Sequence, residues 1–252
     1  MKKIITSASI LAVAAVVVVG ATAAFFNDTE TSTGNIFTAG SIDLTVDSFG
    51  YTYNGTFHPE AGWEATDLTN QKFFTLEDLK PADLYRRSIS LHAESNDAWV
   101  CIGAPNLVDQ ENVINEAEGD AEDITDPLGE LSENVDVLIW RDTNPNGVHN
   151  LGEPILVNSF FDVFAGQLWA VRDSTTGTGP LPPSIPIEML QLSLCGGNHV
   201  VNGITGAVTC DGNAMGDQAQ TDSLLADLVI YGEQHRNNPN FKCADVDLDP
   251  ER

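Results

Sequence analysis

The clearest metal-ligating motif lies in one segment, Asp142-Thr143-Asn144-Pro145-Asn146-Gly147-Val148-His149-Asn150-Leu151-Gly152-Glu153. It satisfies the Asp-x-[Asp/Asn]-x-[Asp/Asn]-Gly-x5-Glu pattern of a calcium loop. Side-chain oxygens at alternate positions, from Asp142, Asn144 and Asn146, can converge on a hard cation. Gly147 permits the sharp turn, the Val148 carbonyl adds a ligand, and Glu153 closes the shell with both carboxylate oxygens. Only two of these ligands are carboxylates, Pro145 stiffens the loop, and the flanks read as strands rather than helices. The same residue types also build an ion-free hairpin loop. If calcium binds, the expected affinity is that of extracellular modules, on the order of 0.1–1 mM, in a structural role.

Catalytic chemistry finds less support. The histidines are His58, His92, His149, His199 and His235, with no pair at i, i+4 and no His-Glu-x-x-His, so a zincin site has no sequence basis. No Gly-x-Ser-x-Gly elbow and no phosphate-cradling loop occurs. Carboxylate pairs abound, so none singles out a general acid and base. The four cysteines contain no Cys-x-x-Cys, which weakens a zinc or thioredoxin-like reading. An even number in an exported chain suggests two disulfides, for which three pairings are possible. Turn-forming Gly196-Gly197-Asn198 and Asn202-Gly203 favour Cys195 with Cys210, which leaves Cys101 with Cys243.

Charge narrows the partners. The 252 residues carry a formal net charge of −26, which argues against nucleic acid and against docking on anionic lipid. Such a surface either repels itself in solution or is screened by divalent cations. At the start, Lys2 and Lys3 precede an apolar run from Ile10 to Gly20 and the small residues Ala21-Thr22-Ala23-Ala24. This order predicts a signal peptide over residues 1–24, cut at Ala23 or Ala24 by a signal peptidase, with only transient membrane contact. Left uncut, the run from Ile4 to Ala24 is long enough to span a bilayer. Cleavage removes two lysines and no acid, so the net charge falls from −26 to −28. It also leaves Phe25 and Phe26 opening a Thr-rich arm, residues 25–40, that a monomer has little reason to carry.

The elements behind the arm read as strands. Ile42, Leu44 and Val46 alternate with Asp43, Thr45 and Asp47; residues 51–67 suggest an irregular hairpin; residues 78–83 form a turn. A strand follows at 85–94, with Ile89, Leu91 and Ala93 on one face, and another at 99–102. Residues 109–133 hold ten acids and neither Lys nor Arg, the mark of an acidic surface insertion, partly helical and mainly solvated. Val135 to Trp140 predicts a strand buried on both faces, residues 155–165 two or three strand-like stretches, and Glu188 to Cys195 another strand. Four prolines in 177–186 predict an extended stretch poorly suited to a central strand. Residues 222–231 predict one strand with Leu224, Ala226, Leu228 and Ile230 inward, and Gln220, Thr221 and Asp222 a structural side-chain network ahead of it. Residues 245–252 form an acidic, frayed tail. Short strands bounded by Gly, Pro and Asn, without long helical periodicity, indicate an all-β sandwich domain over residues 41–244.

The Ala-Phe-Phe-Asn-Asp-Thr-Glu run at 24–30 and the stretch Phe37-Thr38-Ala39-Gly40-Ser41-Ile42-Asp43-Leu44 resemble the N-terminus of the TasA/camelysin family, exported through SipW-type signal peptidases. The Leu79-Lys80-Pro81 turn with its following strands, and the block around Cys210-Asp211-Gly212-Asn213 and Gln234 to Cys243, are similar to sequences of that kind. The resemblance implies a jelly-roll form of the sandwich. It also implies subunits of extracellular fibres in which the N-terminal segment of one copy completes the β-sandwich of the next. In this chain Phe25, Phe26, Ile36 and Phe37 would then fill apolar pockets of a neighbour. Camelysin relatives are described as metallopeptidases, chemistry for which this sequence offers no His pair. Four cysteines and the acidic insertion depart from the fibre subunits.

The expectation is therefore an exported, disulfide-stabilised fibre subunit, head-to-tail with itself, with structural calcium as the one candidate cofactor. Two other classes remain: a camelysin-like surface metallopeptidase, and a monomeric calcium-stabilised surface or adhesion module.

Overall fold

The computed structural model describes residues 27–31, 42–121, 127–183 and 187–247. The leader, the cleavage residues Ala23 and Ala24, and the donor-strand residues Phe25, Phe26, Ile36 and Phe37 lie outside the described residues. So does the end of the acidic tail.

The first element among the described residues is a short strand, β1 (Asn27–Thr31), for which the backbone pairing alone is described. Its first half continues with β2 (Leu44–Tyr53), β3 (Thr56–His58), β4 (Trp63–Thr66), β5 (Leu84–Ala93), β6 (Ala98–Gly103) and β7 (Val108–Gln110). Two short helices, α1 (Glu116–Asp120) and α2 (Leu131–Asn134), precede β8 (Val135–Arg141) and β9 (Ile155–Phe160). Helix α3 (Phe161–Ala165) leads to β10 (Trp169–Arg172). The last strands are β11 (Glu188–Gly196), β12 (Asn198–Val201), β13 (Val208–Asp211), β14 (Ser223–Leu225) and β15 (Val229–Gln234).

Alternation with period two sorts these strands into an all-β sandwich. The larger sheet runs β3-β2-β5-β11-β8-β9, with β4 beside β2, and the smaller runs β1-β15-β6-β10. Inward side chains of the larger sheet (Leu44 and Val46 of β2, Ile89 and Leu91 of β5, Leu190 and Leu192 of β11, Val137 and Ile139 of β8) share one core. Val100 and Ile102 of β6, Val171 of β10 and Ile230 of β15 complete it from the smaller sheet. Each such side chain contributes about 1.5–3 kcal/mol when fully buried. Strand β8 is buried along its whole length, its apolar run from Val137 to Trp140 flanked by the buried Asp136 and Arg141.

Two disulfides, Cys101–Cys243 and Cys195–Cys210, tie the last part of the chain to β6 and the β12–β13 ribbon to β11. A buried ionic clasp joins the two sheets. Glu188 on β11, 2% exposed, accepts from Arg141 of β8 and, at 2.8 Å, from Nε of Arg172 on β10. Arg141 also donates to the Val171 carbonyl at 2.8 Å, so a β8 side chain holds a β10 backbone.

Two sequence expectations need correction. Residues 155–165 form one strand and then α3, because Phe161 and Phe164 bury the same face at helical spacing. Residues 222–231 break into β14, paired with β7, and β15, paired with β6. The backbone bond from Asp227 to the Pro105 carbonyl marks the crossing, and Leu228, Val229 and Ile230 are buried in succession instead of alternately. The proline-rich stretch contributes only isolated bridges, at Leu181 and Pro183.

Replacing Glu188 with Ala strands Arg141 and Arg172 in the interior. Breaking a buried ion pair from one side costs about 3–5 kcal/mol, so Glu188→Ala is expected to lose that much in urea unfolding. A loss below about 1 kcal/mol, the worth of a surface pair, would show that the clasp is not a structural link.

Candidate functional site

The calcium-pattern loop folds as a self-closed turn between β8 and β9. The Asp142 carboxylate accepts from the Gly147 N–H at 2.9 Å, the Asn146 N–H at 3.4 Å and the Gln191 amide at 2.9 Å. Glu153 accepts from the N–H groups of Asn144 and Asn150, at 3.1 and 2.8 Å, and from the Thr143 hydroxyl at 3.3 Å. Burial pushes the Glu153 carboxyl up, but these donors outweigh it and hold it below its usual range. The Asn146 side-chain oxygen takes the Val148 N–H, and the Val148 carbonyl takes the Asn150 amide. Thus Asp142, Asn146, Val148 and Glu153 already have donors, and Asn144 contributes its backbone.

The histidines sit apart. His58 faces Glu60, His92 faces Ser90 and Asp47, and His235 packs edge-on against Trp99. Both ring nitrogens of buried His149 face carbonyl oxygens, those of Gly206 and Glu153. His199 is the centre of a Ser–His–Asp chain, with Nε2 2.8 Å from the Ser193 hydroxyl and Nδ1 3.2 Å from Asp136. Those contacts match a nucleophilic triad, yet Ser193 is 0% exposed and the His199 ring is sealed, so no substrate carbonyl reaches the hydroxyl. The chain instead pins the β12–β13 ribbon onto β8 and β11, helped by the His199 N–H on Asp136 at 2.7 Å. Fifty-seven or more residues separate Asp136 from its partners, and no motif announces them.

A different constellation gathers ligand oxygens. Among the described residues, one group of three metal-capable side chains converges, Glu111, Glu130 and Asp222, with ligand atoms within 4.8 Å of one another. The β7–β14 ladder, with Gln110 opposite Ser223, brings the first and last together. The Glu130 N–H donates to Asp222 at 2.7 Å and the Ser132 N–H to Asp109 at 2.6 Å. Close approach here needs Gly129, where an added Cβ would lie 2.8 Å from an Asp109 carboxylate oxygen. Glu118, 0% exposed, stands nearby on α1, accepting from Asn115 at the helix start.

Part of the run expected to be solvated therefore turns inward. The reason is the capping box of Asn115 and Glu118 and the pairing of β7. Both carboxylate oxygens of Glu111, and one each of Asp109 and Asp222, are cut off from solvent, and the Val113 N–H only partly favours the charged form of Glu111. Burial first, then the negative charges of Asp222 and Glu118, push the Glu111 carboxyl up to about 7. Burial, with repulsion from Asp109 and Glu118, also raises Asp222 despite the Glu130 N–H. A proton or a cation neutralises such a cluster, and its all-oxygen donors suit a hard divalent ion. Zinc in a catalytic role favours histidine nitrogens, and no ligating group among the described residues contains one. Sequence reasoning saw the acidic run but not which carboxylates converge, since Asp222 lies far along the chain.

Among the described residues no helix is long and apolar enough to cross a membrane. A family model described as camelysin metallo-endopeptidase matches residues 1–129, half of the chain. No curated protein matches it.

The raised Glu111 carboxyl gives a signed prediction. Between the ordinary value of 4.5 and about 7 the folded state holds a proton that the unfolded state has lost, so metal-free stability falls as pH rises through this window. In chelator, Glu111→Gln is expected to flatten that fall and to be the more stable protein at pH 7.5. Parallel pH–stability curves for the two would contradict the convergence of charge at Glu111.

Proposed function

The chain belongs to the camelysin metallo-endopeptidase family, and from that premise we propose that it is an extracellular structural subunit that polymerises head to tail through its N-terminal strand. The placement of β1 carries this reading. Asn27 to Thr31 pair antiparallel with Glu233 to Val229 of β15 and cover one edge of the smaller sheet. Bare, that edge would present a row of unpaired N–H and C=O groups, a template for another chain. A strand paired there through its backbone, in the arm that cleavage would free, is exchangeable between copies. Phe25 and Phe26 precede it, Ile36 and Phe37 follow, and in this reading all four seat in apolar pockets of the neighbour. Donation that does not close into a ring makes a filament. Export by a signal peptidase cutting at Ala23 or Ala24 would free the strand outside the cytoplasm.

Calcium has a structural part in this proposal. Glu111, Glu130 and Asp222 would hold it, with Asp109 and Glu118 adding negative charge. The 142–153 loop is the weaker site, because its carboxylates already accept N–H donors. The family description favours a second reading, a surface metallopeptidase. It lacks a histidine ligand set among the described residues, and stoichiometric zinc with chelator-sensitive proteolysis is the result that would install it.

Protein beginning at Ala24 is expected to form filaments in negative-stain electron microscopy, and protein beginning at Ser41 to stay monomeric. Monodisperse particles from both, with and without calcium, would remove the assembly reading. Calcium near 10 mM, roughly 10–100 times the dissociation constant of extracellular modules, should add about 1–3 kcal/mol of stability. The double variant Glu111→Gln, Asp222→Asn should lose most of that gain; an undiminished gain would place the ion elsewhere.

A further inference from the structure

The outer face of the larger sheet carries a cleft that neither strand exchange nor the acidic cluster uses. Its volume, about 460 Å3, falls within the roughly 300–1,000 Å3 of small-molecule sites. The β2–β3 hairpin supplies one wall through Phe49, Tyr51 and Phe57, and the tip of the 142–153 loop supplies another through Pro145 and Val148. Strand register builds the floor. Thr52 and Arg86 lie abreast on β2 and β5, and Gly50, Ser88 and Gln191 on β2, β5 and β11.

Most polar groups of the cleft are already satisfied. Asp142 accepts from Asn146, Gly147 and Gln191, and the Gln191 carbonyl accepts from the Ser88 hydroxyl at 2.7 Å. Arg86 differs. It is half-buried, and burial pushes its pKa down with no neighbouring carboxylate to oppose the shift. Among the described residues its guanidinium makes no hydrogen bond or ion pair with the protein. Arg87, the next residue, illustrates the contrast, donating to Phe73, Tyr85, Ser48 and Ala61. In a chain with 37 acids and 11 bases, the sequence could easily have supplied Arg86 with a carboxylate, and the fold brings none.

A partly desolvated guanidinium keeps five donors in a planar fork that matches a carboxylate two-point. Phe49 and Phe57, 55% and 57% exposed, offer ring surfaces against which a flat or pyranose ring can pack. We propose that this cleft binds a carboxylate borne on a six-membered ring, as in a uronic-acid residue of an acidic polysaccharide, with the carboxylate on Arg86 and the ring against Phe49 and Phe57. A free aromatic acid presents the same chemistry. The acidic surface repels a long polyanion and favours a short or locally neutral stretch, so binding should strengthen as salt screens the net charge.

The test is calorimetric titration of the purified protein with trigalacturonate, a neutral trisaccharide and benzoate, alongside Arg86→Met and Arg86→Lys variants checked for unchanged thermal stability. Trigalacturonate is expected to bind, the neutral sugar not to, and Arg86→Met to weaken binding roughly ten- to hundredfold, as loss of a charge-assisted bond implies. Arg86→Lys, which keeps the charge without the fork, should fall between. Benzoate binding without trigalacturonate binding keeps the carboxylate site and assigns it to aromatic acids. Binding of neither, or equal binding by Arg86→Met, overturns the proposal. Either failure leaves the assembly reading untouched, because the β15 edge belongs to the other sheet.

Discussion

With 11 lysines and arginines against 37 acids, buried carboxylates compete for few cations, and the placement of the arginines decides which acids can be charged inside the fold. Arg141 and Arg172 go to Glu188 and thereby hold the two sheets together. Arg87, 3% exposed, is a second interior anchor, placed over the rings of Trp63 and Tyr51 at 4.9 and 5.4 Å while its donors tie β5 to the loops at Phe73 and Ala61. With these cations used inside, the junction of β7, β14 and α1 is left with carboxylates alone. The acidic cluster follows from the same shortage that makes the Glu188 clasp valuable.

The sandwich leaves an edge as well as a core. Strand β6 lies between β15 and β10, so β15 is sheltered on one side and depends on β1 on the other. Strand β1 precedes every core strand in sequence, and its antiparallel pairing covers the β15 edge from Val229 to Glu233. In the proposed assembly, that edge is the backbone template that the strand of the next copy would occupy.

The outer face of the larger sheet divides into covered and open parts for an identifiable reason. The β12–β13 ribbon is held over β8 and β11 by the Cys195–Cys210 bond and by the Ser193–His199–Asp136 chain. Those residues serve packing, whatever their likeness to a nucleophilic triad. Beyond the ribbon, between the β2–β3 hairpin and the 142–153 loop, the sheet stays accessible, and Arg86 lies there.

Local pattern was enough for much of the fold. The alternation around Ile42, Leu44 and Val46, the run from Val135 to Trp140 and the turn chemistry near Lys80-Pro81 specify strands and breaks, because side-chain period and backbone preference act over a few residues. The acidic insertion and the 142–153 loop were also visible as composition and spacing. Tertiary structure decided the rest. Only the pairing of β7 with β14 brings Asp222 to Glu111, and only the crossing from β14 to β15 divides what reads as one strand. Whether a carboxylate meets an N–H, an arginine or another carboxylate depends on contacts between distant segments, 47 residues apart for Arg141 with Glu188 and 92 for Glu130 with Asp222. A single sequence carries no local signal for such contacts, since burial and neighbouring charge, rather than residue type, set what each ionisable group can do.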